Sequence, residues 1–186
     1  PSQRIWTAGE LATAATLNGN VRDPVSFYRQ RPMILTYLIN DQAVTPTDTW
    51  MALTWNGGVL VDTDGGYTGG GSQFTVVRSG LYDIRCQALF ATNTTGGRAL
   101  KAEKIAAVGG ARTVITETGA ISSCSTDFPG IANVETAVRL GDLGYHLDAG
   151  DKVEIFARQT SGGSLNAWGH ASEQFTWFCM RWVAAV

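Results

Sequence analysis

The sequence is poor in lysine, in charge and in long apolar runs, and each shortage excludes something. Only 3 of its 14 basic residues are lysine, charged residues make up 16% of 186, and the formal net charge is −2. General nucleic-acid binding is therefore not expected, because neutralising phosphates requires clustered Lys and Arg. The longest apolar stretch, Met33 to Ile39, is interrupted by Thr36. It falls well short of the roughly 20 residues that span a bilayer, so no membrane insertion is expected. Pro1-Ser2-Gln3-Arg4 offers no apolar core of a secretory signal. Cysteine is scarce and odd in number: Cys86, Cys124 and Cys179. A chain of this length can bury a core without cross-links, so reduced structural thiols are expected.

The signatures of catalysis are also missing. Gly-x-Ser-x-Gly does not occur, and His146 and His170 stand far apart with no His-Glu-x-x-His or Cys-x-x-Cys pattern. No Gly-x-x-x-x-Gly-Lys-Ser/Thr loop is present to cradle a nucleotide phosphate. Asp62-Thr63-Asp64-Gly65 opens like a calcium loop, but Tyr67 and Gln73 occupy the places that require Gly and Glu. A glycine turn is expected there instead. Asp142, Asp148 and Asp151 remain as acids, yet a glycosidase pair depends on a carboxylate separation that spacing does not supply. The reading is a non-enzymatic chain with no catalytic residues, no metal site and no cofactor.

Glycine, in contrast, is plentiful: 22 residues, many in doublets such as Gly57-Gly58, Gly65-Gly66, Gly109-Gly110 and Gly162-Gly163. Between these turn signals the apolar period is two. Leu81 to Ala91 sets Tyr82, Ile84, Cys86, Ala88 and Phe90 on one side and Asp83, Arg85 and Gln87 on the other. Lys152 to Arg158 repeats the alternation with Val153, Ile155 and Ala157 inward. Such strands separated by glycine turns predict an all-β sandwich or barrel over residues 33–186.

Residues 1–32 read differently. Thr7-Ala8-Gly9-Glu10 has the spacing of a helix N-terminal capping box, Leu17 and Val21 share a helical face, and Pro24 interrupts the pattern. A short helical or extended segment is expected, with Trp6, Leu11, Leu17, Val21, Phe27 and Tyr28 in need of a surface to cover.

Near the C-terminus, Phe175, Trp177 and Cys179 alternate with Phe178, Met180 and Trp182, so both faces of one strand carry large apolar groups. One face meets the sandwich core, and the other needs cover, which is expected from another subunit, the alternative being the chain's own N-terminal segment.

The order of these signals resembles the jelly roll of tumour-necrosis-factor-like cytokines and complement-type globular heads. Gly80-Leu81-Tyr82-Asp83-Ile84 resembles that family's Gly-x-Tyr strand start. Leu147-Asp148-Ala149-Gly150-Asp151-Lys152-Val153 resembles its Leu-x-Ala-Gly-Asp-x-Val turn, and the final strand resembles its last one. The resemblance implies a homotrimer with that last strand in the inner sheet. On it, Tyr82, Phe178, Met180 and Trp182 are expected at the trimer interface, with Trp177 in the core.

The first 32 residues carry a second resemblance. Trp6-Thr7-Ala8-Gly9-Glu10, Thr13-Ala14-Ala15 with Leu17-Asn18, and Val21-Arg22-Asp23, closing at Pro32, resemble a leader on tail and other virion proteins of actinobacterial phages. It implies anchoring to neighbouring virion proteins through Trp6, Leu11, Leu17, Val21 and Arg22. The expected location is the virion, assembled in the host cytoplasm. Tyr67, Trp168 and His170 lie in glycine-bearing loops, where aromatic rings can stack on a host cell-surface glycan. Two roles follow: a tail, fibre or receptor-binding head, or a capsid decoration or connector protein that stabilises the particle.

Overall fold

A computed structural model describes residues 13–18, 25, 31–46, 48–93, 95–121 and 136–186. The chain divides into two compact units, Pro1–Arg31 and Pro32–Val186. The described helix of the first unit is one short turn, α1 (Ala14–Leu17), closed by the Leu17 amide donating to the Thr13 carbonyl at 2.9 Å. Leu17 is 44% exposed. The expected capping box at Thr7–Glu10, and the anchoring residues Trp6, Leu11, Val21 and Arg22, lie outside the described residues.

The second unit contains twelve described strands. They are β1 (Met33–Tyr37), β2 (Gln42–Val44), β3 (Met51–Ala52), β4 (Val59–Asp62), β5 (Gln73–Thr75) and β6 (Gly80–Phe90), followed by β7 (Gly97–Ile105), β8 (Arg112–Ile121), β9 (Thr136–Leu147), β10 (Lys152–Gln159), β11 (Leu165–Ala167) and β12 (Trp177–Ala184). The first sheet runs β2-β11-β6-β12-β1-β4, with β9 also paired to β6; the second runs β3-β10-β7-β8, with β5 paired to β10. Every pairing is antiparallel. The result is a two-layer jelly-roll sandwich, as the alternation in β6 and β10 predicts.

Side-chain alternation decides which residues fill the layer between the sheets. From the first sheet come Tyr82, Ile84, Cys86, Ala88 and Phe90 of β6, with Phe178, Met180 and Trp182 of β12 beside them. From the second come Leu100 and Ala102 of β7 and Val153, Ile155 and Ala157 of β10. Phe74 stacks on Phe178 with ring centroids 4.2 Å apart, and Trp55 lies 5.8 Å from Phe178 and 6.0 Å from Phe74. Each fully buried ring of this kind contributes about 1.5–3 kcal/mol of transfer free energy.

Two turns show why particular residues sit where they do. Gly80 opens β6 at φ +153°, and a Cβ there would collide with the Trp182 indole nitrogen and the Ala184 carbonyl. The turn between β9 and β10 is organised by Asp151, whose carboxylate accepts from the amides of Ala107 and Asp148 at 3.0 Å each and pairs with Lys104 at 3.3 Å. Burial alone would push the Asp151 pKa up; these donors outweigh burial and hold it below the usual carboxylate range. Asp151 thus has a local structural role in the turn.

Candidate subunit interface

Hydrogen-bond register fixes the outward face of the first sheet rung by rung. Met33 of β1 pairs with Arg181 of β12, and Arg181 with Asp83 of β6. The next rung on this face runs Val61, Leu35, Cys179, Arg85 and Gly141, from β4 through β1, β12 and β6 to β9. The one after that runs Tyr37, Trp177, Gln87 and Arg139. Apolar groups occupy the β4–β1–β12 side, and charged or polar groups the β6–β9 side. Leu35, Tyr37, Trp177 and Cys179 are only partly covered by their own chain.

The expected interface set is thereby corrected. Phe178 is 0%, Tyr82 and Met180 2%, and Trp182 7% exposed within a single chain, so all four belong to the sandwich core. Trp177, expected in the core, points outward. The reason is register: Phe178, Met180 and Trp182 pair with Cys86, Ile84 and Tyr82, the apolar face of β6. Trp177, Cys179 and Arg181 pair with its polar face of Gln87, Arg85 and Asp83. Tyr82 also places its hydroxyl as donor to the Arg78 carbonyl at 2.6 Å, and burial pushes its pKa up to about 12.

On the outward face, polar groups are tied locally. Arg181 reaches Asp83 at 2.8 Å and Arg85 reaches it at 3.8 Å, while Arg139 donates to the Gln87 side-chain oxygen at 2.9 Å. Gln87 in turn donates to the Phe175 carbonyl at 3.1 Å. Cys179 lies within this face. Burial raises its thiol pKa, with Arg181 and Arg85 pulling the other way. Cys86, on the neighbouring strand, faces the core, so the two free thiols lie on opposite faces of one sheet. Cys124 lies outside the described residues.

The exterior of the second sheet contrasts with this. Its two rings are covered by cations: Lys101 and Arg158 over Trp50 at 4.7 and 4.9 Å, and Lys101 and Arg112 over Phe156 at 5.1 and 5.5 Å. Acids hold those cations, with Lys101 at 2.6 Å and Arg112 at 2.9 Å from Glu103, and Arg112 at 2.9 Å from Glu154. Burial would raise the Glu103 pKa, but Lys101 and Arg112 bring it below the usual range. This exterior completes its own interactions. Trp177, in contrast, has no cation over its ring among the described residues, and the first sheet presents the incomplete surface.

The loop aromatics separate into two groups. Tyr67 is a core residue, 7% exposed, its ring 4.8 Å from Phe74 and its hydroxyl donating to the Trp55 carbonyl at 2.5 Å, so its expected place in a ligand loop is corrected. Its burial follows from the preceding turn, in which the Asp62 carboxylate accepts from the amides of Gly65, Gly66 and Tyr67 at 2.8, 3.1 and 3.0 Å. That turn is the glycine turn expected in place of a calcium loop. Trp168 and His170 do come together, flanking Phe175 with centroid separations of 6.2 and 5.5 Å. Phe175, read in the sequence only as part of the terminal apolar run, and Asp41, which accepts from Gly169 at 3.0 Å and Asn166 at 3.2 Å, complete this cluster. Asp41 had no motif around it.

Among the described residues, no group of three or more His, Cys, Asp and Glu is placed to hold a metal ion, and no helix is long and apolar enough to cross a membrane. No protein-family model matches the chain, and no curated protein matches it. Solved structures do. The chain is similar to murine APRIL at pH 5.0, with TM-score 0.58 and 14% identity over 82% of this chain and 99% of that one. It is similar to murine APRIL at pH 8.0, with TM-score 0.57 and 14% identity over 81% and 98%. It is also similar to the Eiger TNF of S. frugiperda, with TM-score 0.52 and 13% identity over 84% and 96%. At these identities the likeness concerns the fold: this chain is a TNF-like jelly-roll sandwich.

Proposed function

We propose that the chain is a non-enzymatic virion structural protein, a self-associating jelly-roll head of three copies attached to a phage particle through residues 1–32. The observation that carries self-association is the outward face of the first sheet, where Leu35, Tyr37 and Trp177 stand together partly exposed. A contiguous apolar patch of this kind marks a contact surface. The three-copy state follows the resemblance of the strand and turn motifs to tumour-necrosis-factor-like proteins. The particle follows the resemblance of the leader.

The favoured role is a tail, fibre or receptor-binding head displayed on the exterior, with Trp168 and His170 as the ring surface for a host cell-surface glycan. A second role, capsid decoration or connection, gains from one observation: Tyr67 is in the core, which leaves that ring surface smaller than the loops suggested. Purified phage particles test the proposal. The chain should be found in them, cryo-electron microscopy should place a three-fold head on the exterior, and deleting residues 1–31 should exclude the chain from particles while leaving it folded. Its absence from particles overturns the virion reading. A burial site within the shell or tail wall favours the second role.

A further inference from the structure

The rings of Trp168, His170 and Phe175 have a polar group set beside them. Leu165 and Ala167 of β11 point into the core, 4% and 0% exposed, so Asn166 between them projects on the outward side of the sheet. There its side-chain amide donates to one Asp41 oxygen at 3.2 Å, and the Gly169 backbone amide donates to the other at 3.0 Å. Gly169 stands between Trp168 and His170, so the exposed Asp41 carboxylate lies against the backbone that joins the two ring-bearing residues.

This segment is held in place by its own chain. The Trp168 amide donates to the Leu89 carbonyl at 2.7 Å, and the His170 amide to the Leu38 carbonyl at 3.0 Å. Gly169 packs so closely on Asn40 that a Cβ would come within 2.3 Å of its carbonyl oxygen. Both rings lean on Phe175, tilted by 57° and 53°. A surface fixed in this way loses little freedom when a ligand binds.

Its unused hydrogen-bonding capacity suits hydroxyl groups. Each Asp41 oxygen accepts one donor from the chain, and an ionised carboxylate has room for about four. The Asn166 Oδ1 and His170 Nε2 atoms have no hydrogen-bond partner among the described residues. A sugar presents hydroxyls that both donate and accept, together with a C–H face that lies on an aromatic ring. Charge narrows the class further. Residues 38–41 and 166–175 include Asp41 and Glu173 and neither lysine nor arginine. Arg139, on the rung of Trp177, is drawn to the Gln87 side-chain oxygen at 2.9 Å. An acidic sugar would therefore bring its charge against an uncompensated carboxylate.

We infer that this cluster binds a neutral saccharide, its hydroxyls donating to Asp41 and its C–H face resting on the Trp168 and His170 rings, and that Asp41 turns acidic sugars away. The inference rests on the receptor-binding role proposed above and adds the class of glycan and the residue that selects it.

The full chain on an array of immobilised oligosaccharides tests it. Neutral probes are built of glucose, galactose, mannose and N-acetylhexosamines, and acidic probes end in glucuronate or N-acetylneuraminate; circular dichroism confirms that each variant is folded. Neutral probes should be bound at least roughly tenfold tighter than the acidic ones, the scale of one hydrogen bond to a charged group. Trp168→Ala and Asp41→Ala should each weaken that binding by roughly tenfold, and Trp168→Phe, which keeps a ring, should retain most of it. Asp41→Asn keeps an acceptor for the Gly169 amide and removes the charge. It should narrow the neutral-over-acidic preference several-fold, a shift that a purely structural Asp41 would not produce. Preference for acidic probes, or neutral binding indifferent to the Asp41 and Trp168 variants, overturns the inference and leaves a glycan-binding head standing. A folded chain that binds no probe of either kind overturns the glycan-binding role itself.

Discussion

The Phe74 and Phe178 rings stack at 4.2 Å with 22° between their planes, joining the two sheets through one contact. Phe178 belongs to β12 in the first sheet, and Phe74 to β5 in the second. Trp55 and Tyr67 close around this pair, so four aromatic rings from different parts of the sequence share one volume.

Phe178→Ala should therefore cost about 3–5 kcal/mol, the range for a large buried ring whose cavity cannot collapse. The measurement is chemical denaturation at a fixed chain concentration. A loss below about 1 kcal/mol would mean that the rings are not the joint between the sheets.

Asp151 gives a pH prediction. Its folded pKa is depressed, since the Asp148 and Ala107 amides and the Lys104 ammonium outweigh the effect of burial. A depressed carboxylate stabilises the fold fully above its unfolded value of about 3.9, and that contribution is lost as pH falls through the folded value. Asp151→Asn should thus be less stable than the unsubstituted chain at pH 7, and the two unfolding curves should converge as pH drops below about 4. A difference that stays constant across this window would show that the charge is immaterial.

The two described thiols should respond differently to an alkylating reagent. Cys86 is sealed in the core, and burial pushes its pKa far up. Cys179 is partly exposed on the outward face beside Arg85 and Arg181. Thiolate fraction and access set the rate, so native labelling followed by peptide mapping should modify Cys179 and spare Cys86. Labelling of Cys179 should slow as chain concentration rises and the face is covered. Equal labelling at all concentrations would count against that face as the contact.

Much of the fold is legible in the sequence because strand alternation is a local signal. β6 and β10 come within a residue or two of their expected bounds, since each sets apolar against polar residues along its own length. β12 is legible as a two-faced strand, but which face points inward is not, because Phe178, Met180 and Trp182 match Trp177 and Cys179 in apolarity. The missing information lay on β6, whose apolar side had to be aligned with one side of β12, and register is a long-range property. Tyr67 was misplaced for a similar reason: its loop reads as exposed, and its partner Phe74 lies across a glycine turn. The network of Glu103, Arg112 and Glu154 left no local trace, joining residues on three strands.

The register also yields a sharp comparison of two tryptophans on one strand. Trp182 is a core residue whose indole nitrogen donates to the Ser79 carbonyl at 3.3 Å, and Trp177 lies on the outward face between Tyr37 and Gln87. Trp182→Ala removes a buried ring and should cost about 3–5 kcal/mol within each copy. Its melting temperature should fall at every chain concentration by a similar amount. Trp177→Ala should leave the isolated copy nearly as stable, because a partly exposed ring contributes less to its own core. The loss should instead appear in association, so that its melting temperature matches the unsubstituted chain at low concentration and lags behind it at high concentration, where mass action stabilises the assembled form. Thermal unfolding over a hundredfold range of concentration separates the two. If both variants lost stability equally and independently of concentration, neither face would be meeting another copy, and the self-associating head would lose its physical basis.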